Sequence, residues 1–146
     1  MRRWVRSGVI VLVLTAGVAL AACSDDGDSS GSGSASAPAA TTPEDRRVSD
    51  ARVAAGLAEI KNISTRTADA VEAGDDAASD LNDQIEPEWQ AIEGTIKSND
   101  QDVYLTFEDT FALLGNAVDD GDAAAAKDAA DTINTAADDY LADYPG

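Results

Sequence analysis

The sequence predicts an all-α protein, an up-down-up-down antiparallel four-helix bundle, and three observations carry that expectation. Between residue 44 and the end of the chain, apolar side chains recur at steps of three and four in four separate blocks, the spacing of one helical face turned to a shared core. No apolar/polar alternation of the strand type competes with it. The blocks are separated by short runs in which a helix-ending glycine or asparagine stands beside a helix-starting carboxylate, and connections that short make neighbouring helices antiparallel. Alanine is abundant and aromatics are only 5% of residues, which suits helices packed through small side chains.

The chain opens on a different kind of segment. Arg2, Arg3 and Arg6 form a basic end, Gly8 to Leu20 is apolar, and small residues come next, the three parts of a secretory signal. A retained membrane helix is the competing reading, but Gly8 to Ala22 spans fifteen residues against the roughly 20 that a bilayer requires. Leu20-Ala21-Ala22-Cys23 resembles the lipobox of bacterial lipoproteins. The resemblance implies removal of residues 1–22, lipidation of the Cys23 thiol, acylation of the new amino terminus by palmitate-type chains, and residence on the extracytoplasmic face of the cell membrane. Cys23 is the sole cysteine, so it has no disulfide partner within the chain and attachment is the role left to it.

Cleavage there leaves 124 residues with 7 basic and 28 acidic side chains, a net charge of −21. No basic patch exists to neutralise phosphates, which excludes nucleic acid, and anionic lipid head groups repel such a surface. Acidity of this kind keeps a secreted domain soluble. Its field also attracts cations, polyamines and the basic faces of other proteins.

Residues 23–43 hold the lipidated cysteine and a Ser/Gly/Ala/Pro-rich tether. That composition cannot bury enough apolar surface to offset the entropy of ordering, and about twenty flexible residues would hold a domain about 25 Å from its anchor. Asp25-Asp26-Gly27-Asp28 lacks the alternating ligands and closing glutamate of a calcium loop.

Residues 44–146 form the expected acidic helical domain. Its first block runs Val53, Leu57, Ile60, Thr67 and Val71, with Ile63 and Ala70 alongside, and Gly74-Asp75 ends it and caps the next. The second block is Leu81, Ile85, Trp89, Ile92 and Ile96. Pro87 interrupts it, so this helix is predicted to kink there or to break into a short helix over 76–85 and a new one opening at the proline. Ser98-Asn99-Asp100, with Asp100 or Asn99 as the cap, starts the third block, Tyr104, Phe107, Phe111, Leu114 and Val118. Gly121-Asp122 starts the last, Ala126, Ala130, Ile133, Ala137, Tyr140 and Tyr144. A weak internal repeat matches Ala70-Val71-Glu72-Ala73-Gly74-Asp75 to Ala117-Val118-Asp119-Asp120-Gly121-Asp122. Two repeated helical hairpins would produce it, and so would the same capping chemistry used twice.

One constellation invites a chemical reading. Glu86 and Glu93 lie seven apart on one helix face with Trp89 between them, and antiparallel pairing would bring Glu108 level with Gln90 and leave Tyr104 a turn away. Glu86, Glu93 and Glu108 are the candidate metal ligands, with Trp89 and Tyr104 supporting them, because oxygen ligands in a bundle core suit hard cations. The bland alternative is that the glutamates are solvated at the bundle edge and the aromatics are core. Histidine is absent from the chain, which excludes a Glu-x-x-His di-iron site and His-based zinc sites. Around these residues Glu86-Pro87-x-Trp89-x-x-Ile92-Glu93, Asp102-x-Tyr104-x-x-Phe107-Glu108-Asp109 and Tyr140-x-x-x-Tyr144-Pro145 resemble the helical domains of imelysin-like, iron-uptake-associated bacterial lipoproteins. Over about sixty residues that likeness implies an extracytoplasmic, helical, metal-linked accessory protein, although the histidine-containing metal motif of that family has no counterpart here.

Without histidine, serine or cysteine nucleophiles lack their usual base, so no enzyme and no cofactor are expected. The leading expectation is a non-catalytic, lipid-anchored envelope protein whose acidic bundle binds another envelope protein or is structural. The alternative is a cation-binding accessory to iron-type metal uptake.

Overall fold

The computed structural model describes residues 42–145. The signal 1–22, Cys23 and the tether through Thr41 lie outside the described residues. Within them the chain is all-helical: a 3-10 turn at Pro43–Asp45, then α1 (Asp50–Ala73), α2 (Ala78–Asn82), α3 (Ile85–Asn99), α4 (Gln101–Asp120) and α5 (Ala123–Asp143). The four long helices pack together, α1 against α5 and α3, α4 against α5 and α3, while the single turn of α2 sits on α1 and α4. No helix among the described residues is long and apolar enough to cross a membrane.

Local chemistry sets the boundaries. The Ser49 hydroxyl accepts from the Arg52 N–H at 3.3 Å and starts α1. Asp100 closes α3 and opens α4, its carboxylate accepting from the N–H groups of Asp102 and Val103. Asp122 does the same for Ala124 and Ala125 at the head of α5. Gly74 and Gly121 both sit at φ 65°, the left-handed region, and the next N–H, of Asp75 or Asp122, bonds back to Ala70 O or Ala117 O. The two stretches of the internal repeat are therefore two copies of one helix-ending motif.

After that shared motif the two diverge. Asp75 does not cap a long second helix: its Oδ1 accepts the Ala77 N–H in a turn, and α2 starts without a side-chain cap. The break between α2 and α3 falls at Asp83 and Gln84, and Pro87 lies in the first turn of α3. There its missing N–H has no carbonyl to bond to within the helix, so the proline costs little.

The core closes on the predicted stripes. Leu57, Ile60, Ile96, Phe107, Leu114, Ala126, Ile133 and Ala137 are fully enclosed. An extended strap, 46–49, is held to α3 by the Val48 N–H donating to Thr95 Oγ1 at 2.8 Å, with the Thr95 hydroxyl donating back to Val48 O at 3.4 Å. At Gly56, where α1 packs on α3, an added Cβ would lie 2.8 Å from Ile92 Cγ2, a branch that cannot swing clear. Alanine is the better helix former by about 1 kcal/mol, but overpacking a buried isoleucine costs about 1–3 kcal/mol. Gly56→Ala is accordingly expected to lower stability. In urea titrations the double variant Gly56→Ala, Ile92→Ala should be more stable than the sum of the single effects allows.

Candidate functional site

The candidate constellation lies where α3 meets α4. Trp89, only 2% exposed, is its centre. The indole is nearly parallel to Tyr104 at 5.7 Å, tilted against Phe107 at 5.1 Å and edge-on to Phe111 at 5.3 Å. Its Nε1–H donates to Glu108 Oε1 at 2.5 Å, which gives a buried donor its partner at the rim of the bundle. This is an aromatic core with a polar exit.

The three glutamates are not brought together. Glu86 is exposed and accepts from Gln90 Nε2 at 2.7 Å, one turn along its own helix. Glu93 is buried, 5% exposed, and Lys97 comes one turn later on that face, its ammonium 4.9 Å from the Tyr104 ring centroid. Glu108 is turned to the indole. Among the described residues no group of three or more acidic or cysteine side chains could hold a metal ion. Trp89 and Tyr104 both belong to the buried core.

Other features lie outside the candidate constellation. At one end of the bundle Asn99 Nδ2 donates to the Tyr140 hydroxyl at 2.8 Å and the Tyr144 hydroxyl donates to Asn99 O at 3.1 Å. The two tyrosine rings, 4.7 Å apart, clasp the end of α3. Burial pushes the Tyr140 phenol above its ordinary 10.0, against the lowering effect of the Asn99 hydrogen bond. The unfolded chain therefore ionises first, so this contribution is complete below about pH 10 and is lost as pH rises through the folded value. The stability gap between the parent chain and Tyr140→Phe, measured by urea titration, should be constant from neutral pH to about pH 9 and narrow above about pH 10.

Between α1 and α5 runs a groove of about 320 Å³, floored by Ala68, Ala123 and Ala130 and edged by Asp69, Glu72 and Lys127. Lys127 is bonded to Asp131, and that hydrogen bond raises the ammonium's pKa. Arg52 bridges α1 to Glu88 of α3 at 3.0 Å, and Lys61 of α1 reaches Asp138 of α5. The clearest departure is on α4. Leu105 and Leu113, 48% and 60% exposed, point away from the core. In the sequence their signal was two leucines outside the helical stripe.

Comparison with known proteins found no match among family models, curated proteins or solved structures.

Proposed function

We propose that this chain is a non-catalytic lipoprotein of the cell envelope, anchored through Cys23 on the extracytoplasmic face of the membrane, whose acidic bundle is a protein-interaction or structural module. The observation that carries the reading is Leu20-Ala21-Ala22-Cys23, a lipobox-like stretch with the chain's one cysteine, behind a basic end and an apolar run too short to span a bilayer. A polar tether and a domain with its own apolar core come after it, the order expected of a spaced, surface-displayed module. In this reading the helices run up-down-up-down with antiparallel neighbours. The one-residue junction at Asp100 and the Gly121-Asp122 connection support that arrangement. The imelysin-like stretches are kept as a likeness of helical architecture.

The second reading is cation uptake with Glu86, Glu93 and Glu108 as ligands; against it, Glu86 is engaged by Gln90 and Glu108 by Trp89. Calorimetric titration decides between the two. The chain 23–146 carrying Cys23→Ser is titrated with Fe(III), Mn(II), Zn(II), Cu(II) and Ca(II), beside the same chain with Glu86→Gln, Glu93→Gln and Glu108→Gln. Weak binding shared by both is expected, the mark of diffuse charge attraction. Micromolar one-to-one binding abolished in the triple variant would overturn the interaction reading in favour of metal handling.

A further inference from the structure

We infer that the outer face of α4, with the groove beside it, is a docking surface for a basic amphipathic helix of another envelope protein. The inference rests on the interaction reading above and supplies its surface and the chemistry of its partner.

Leu105 and Leu113 are the large apolar side chains left exposed among the described residues, and both are on α4. Eight residues set them about 12 Å apart along the axis and about 80° apart around it, with exposed Asp109 between them in angle. They therefore share one ridge. Beside it, α4 and α5 border a shallow groove of about 510 Å³. Thr106 lines its α4 wall, and Asp128, Thr132, Thr135 and Asp139 line the α5 wall. Leu113 lies seven residues beyond Thr106, two turns along the same side of α4.

Charge selects the occupant. α4 contains no basic residue, and its exposed positions around the leucines include Asp102, Glu108 and Asp109. From 101 to 146 eleven acidic residues face a single lysine, Lys127, which is bonded to Asp131. A second copy would bring the same net −10 against itself. Anionic lipid meets the same repulsion. A helix with leucine-sized side chains on one face and lysines or arginines flanking them meets both features at once. Its apolar residues would cover Leu105 and Leu113 while its cations reach Asp109, Asp128 and Asp139, the helix-in-groove mode of recognition.

The test uses isotope-labelled chain 23–146 carrying Cys23→Ser. The probe is a synthetic leucine/lysine helix of about five turns with its leucines on one face, and the control is its scrambled sequence of equal charge. Amide shifts confined to α4 and the facing side of α5 are expected. Affinity should fall about tenfold in Leu105→Ser, Leu113→Ser. A similar fall is expected in Asp128→Asn, Asp139→Asn, a second variant that leaves the leucines in place. Unchanged Trp89 fluorescence verifies that each variant is folded. Shifts scattered over all the helices, or equal affinity for the scrambled peptide, would sink the inference and leave only non-specific attraction. Sedimentation showing a dimer abolished by the leucine variant would make the occupant a second copy, and leucine-dependent binding to phosphatidylcholine vesicles would make it lipid; either overturns the proposal. None of these outcomes bears on anchoring at Cys23, which is read separately by lipid labelling.

Discussion

Trp89→Ala is expected to remove about 3–5 kcal/mol of folding free energy, the usual cost of emptying a large aromatic site in a core. That is a large part of the total stability of about 5–15 kcal/mol typical of a small domain. The indole lies between α3 and α4, touches the rings of Tyr104, Phe107 and Phe111, and is nearly inaccessible to water. Three ring contacts and one hydrogen bond disappear together, and the bundle has few other aromatics with which to refill the space. Urea denaturation followed by circular dichroism checks the expectation. Trp89→Phe separates the contributions, because it keeps a ring in the cluster and deletes the N–H that donates to Glu108. Its cost should be well below that of alanine. A loss under about 1 kcal/mol for Trp89→Ala would mean that the aromatic cluster is not what joins these two helices.

The second large effect belongs to the anchor. Cys23→Ser replaces the only thiol in the chain by a hydroxyl that thioether lipidation cannot use. A single acyl chain binds a membrane only marginally, whereas two or more hold it stably. The domain adds no attraction of its own, since its net charge opposes anionic head groups. Membrane association should therefore change from nearly complete to nearly absent. Fractionation of expressing cells, with incorporation of labelled palmitate as a second readout, measures it. The helical content of residues 42–145 should be unaffected, because the substitution lies outside the residues that build the core described above.

Much of this fold was legible in the sequence because helical burial tracks period. Val53, Leu57, Ile60, Ile92, Ile96, Phe107, Leu114 and Ile133 recur at helical spacing and all are buried. Caps at Gly74, Asp100, Gly121 and Asp122 were legible too, since left-handed backbone and orphan N–H groups demand particular residues. The second block was only partly legible. Gly74-Asp75 resembles Gly121-Asp122 in chemistry, yet the first pair leads into a turn and one short helix and the second into a long helix. The surroundings of the candidate residues were less legible. Period says which face of a helix a glutamate occupies, but not which side chain on another helix it meets, and Glu108 met the Trp89 N–H. Leu105 and Leu113 stood in plain view as leucines off the stripe. A rule that seeks the core passes over apolar residues that face outward.

Mass spectrometry of the protein extracted from membranes of expressing cells tests the central claim most directly. An amino-terminal peptide beginning at Cys23 is expected, heavier than its sequence by the mass of a thioether-linked lipid, with residues 1–22 absent. A protein that retains Met1, or that begins elsewhere with a free Cys23 thiol, would contradict it, and the acidic bundle would then need another explanation for where it works.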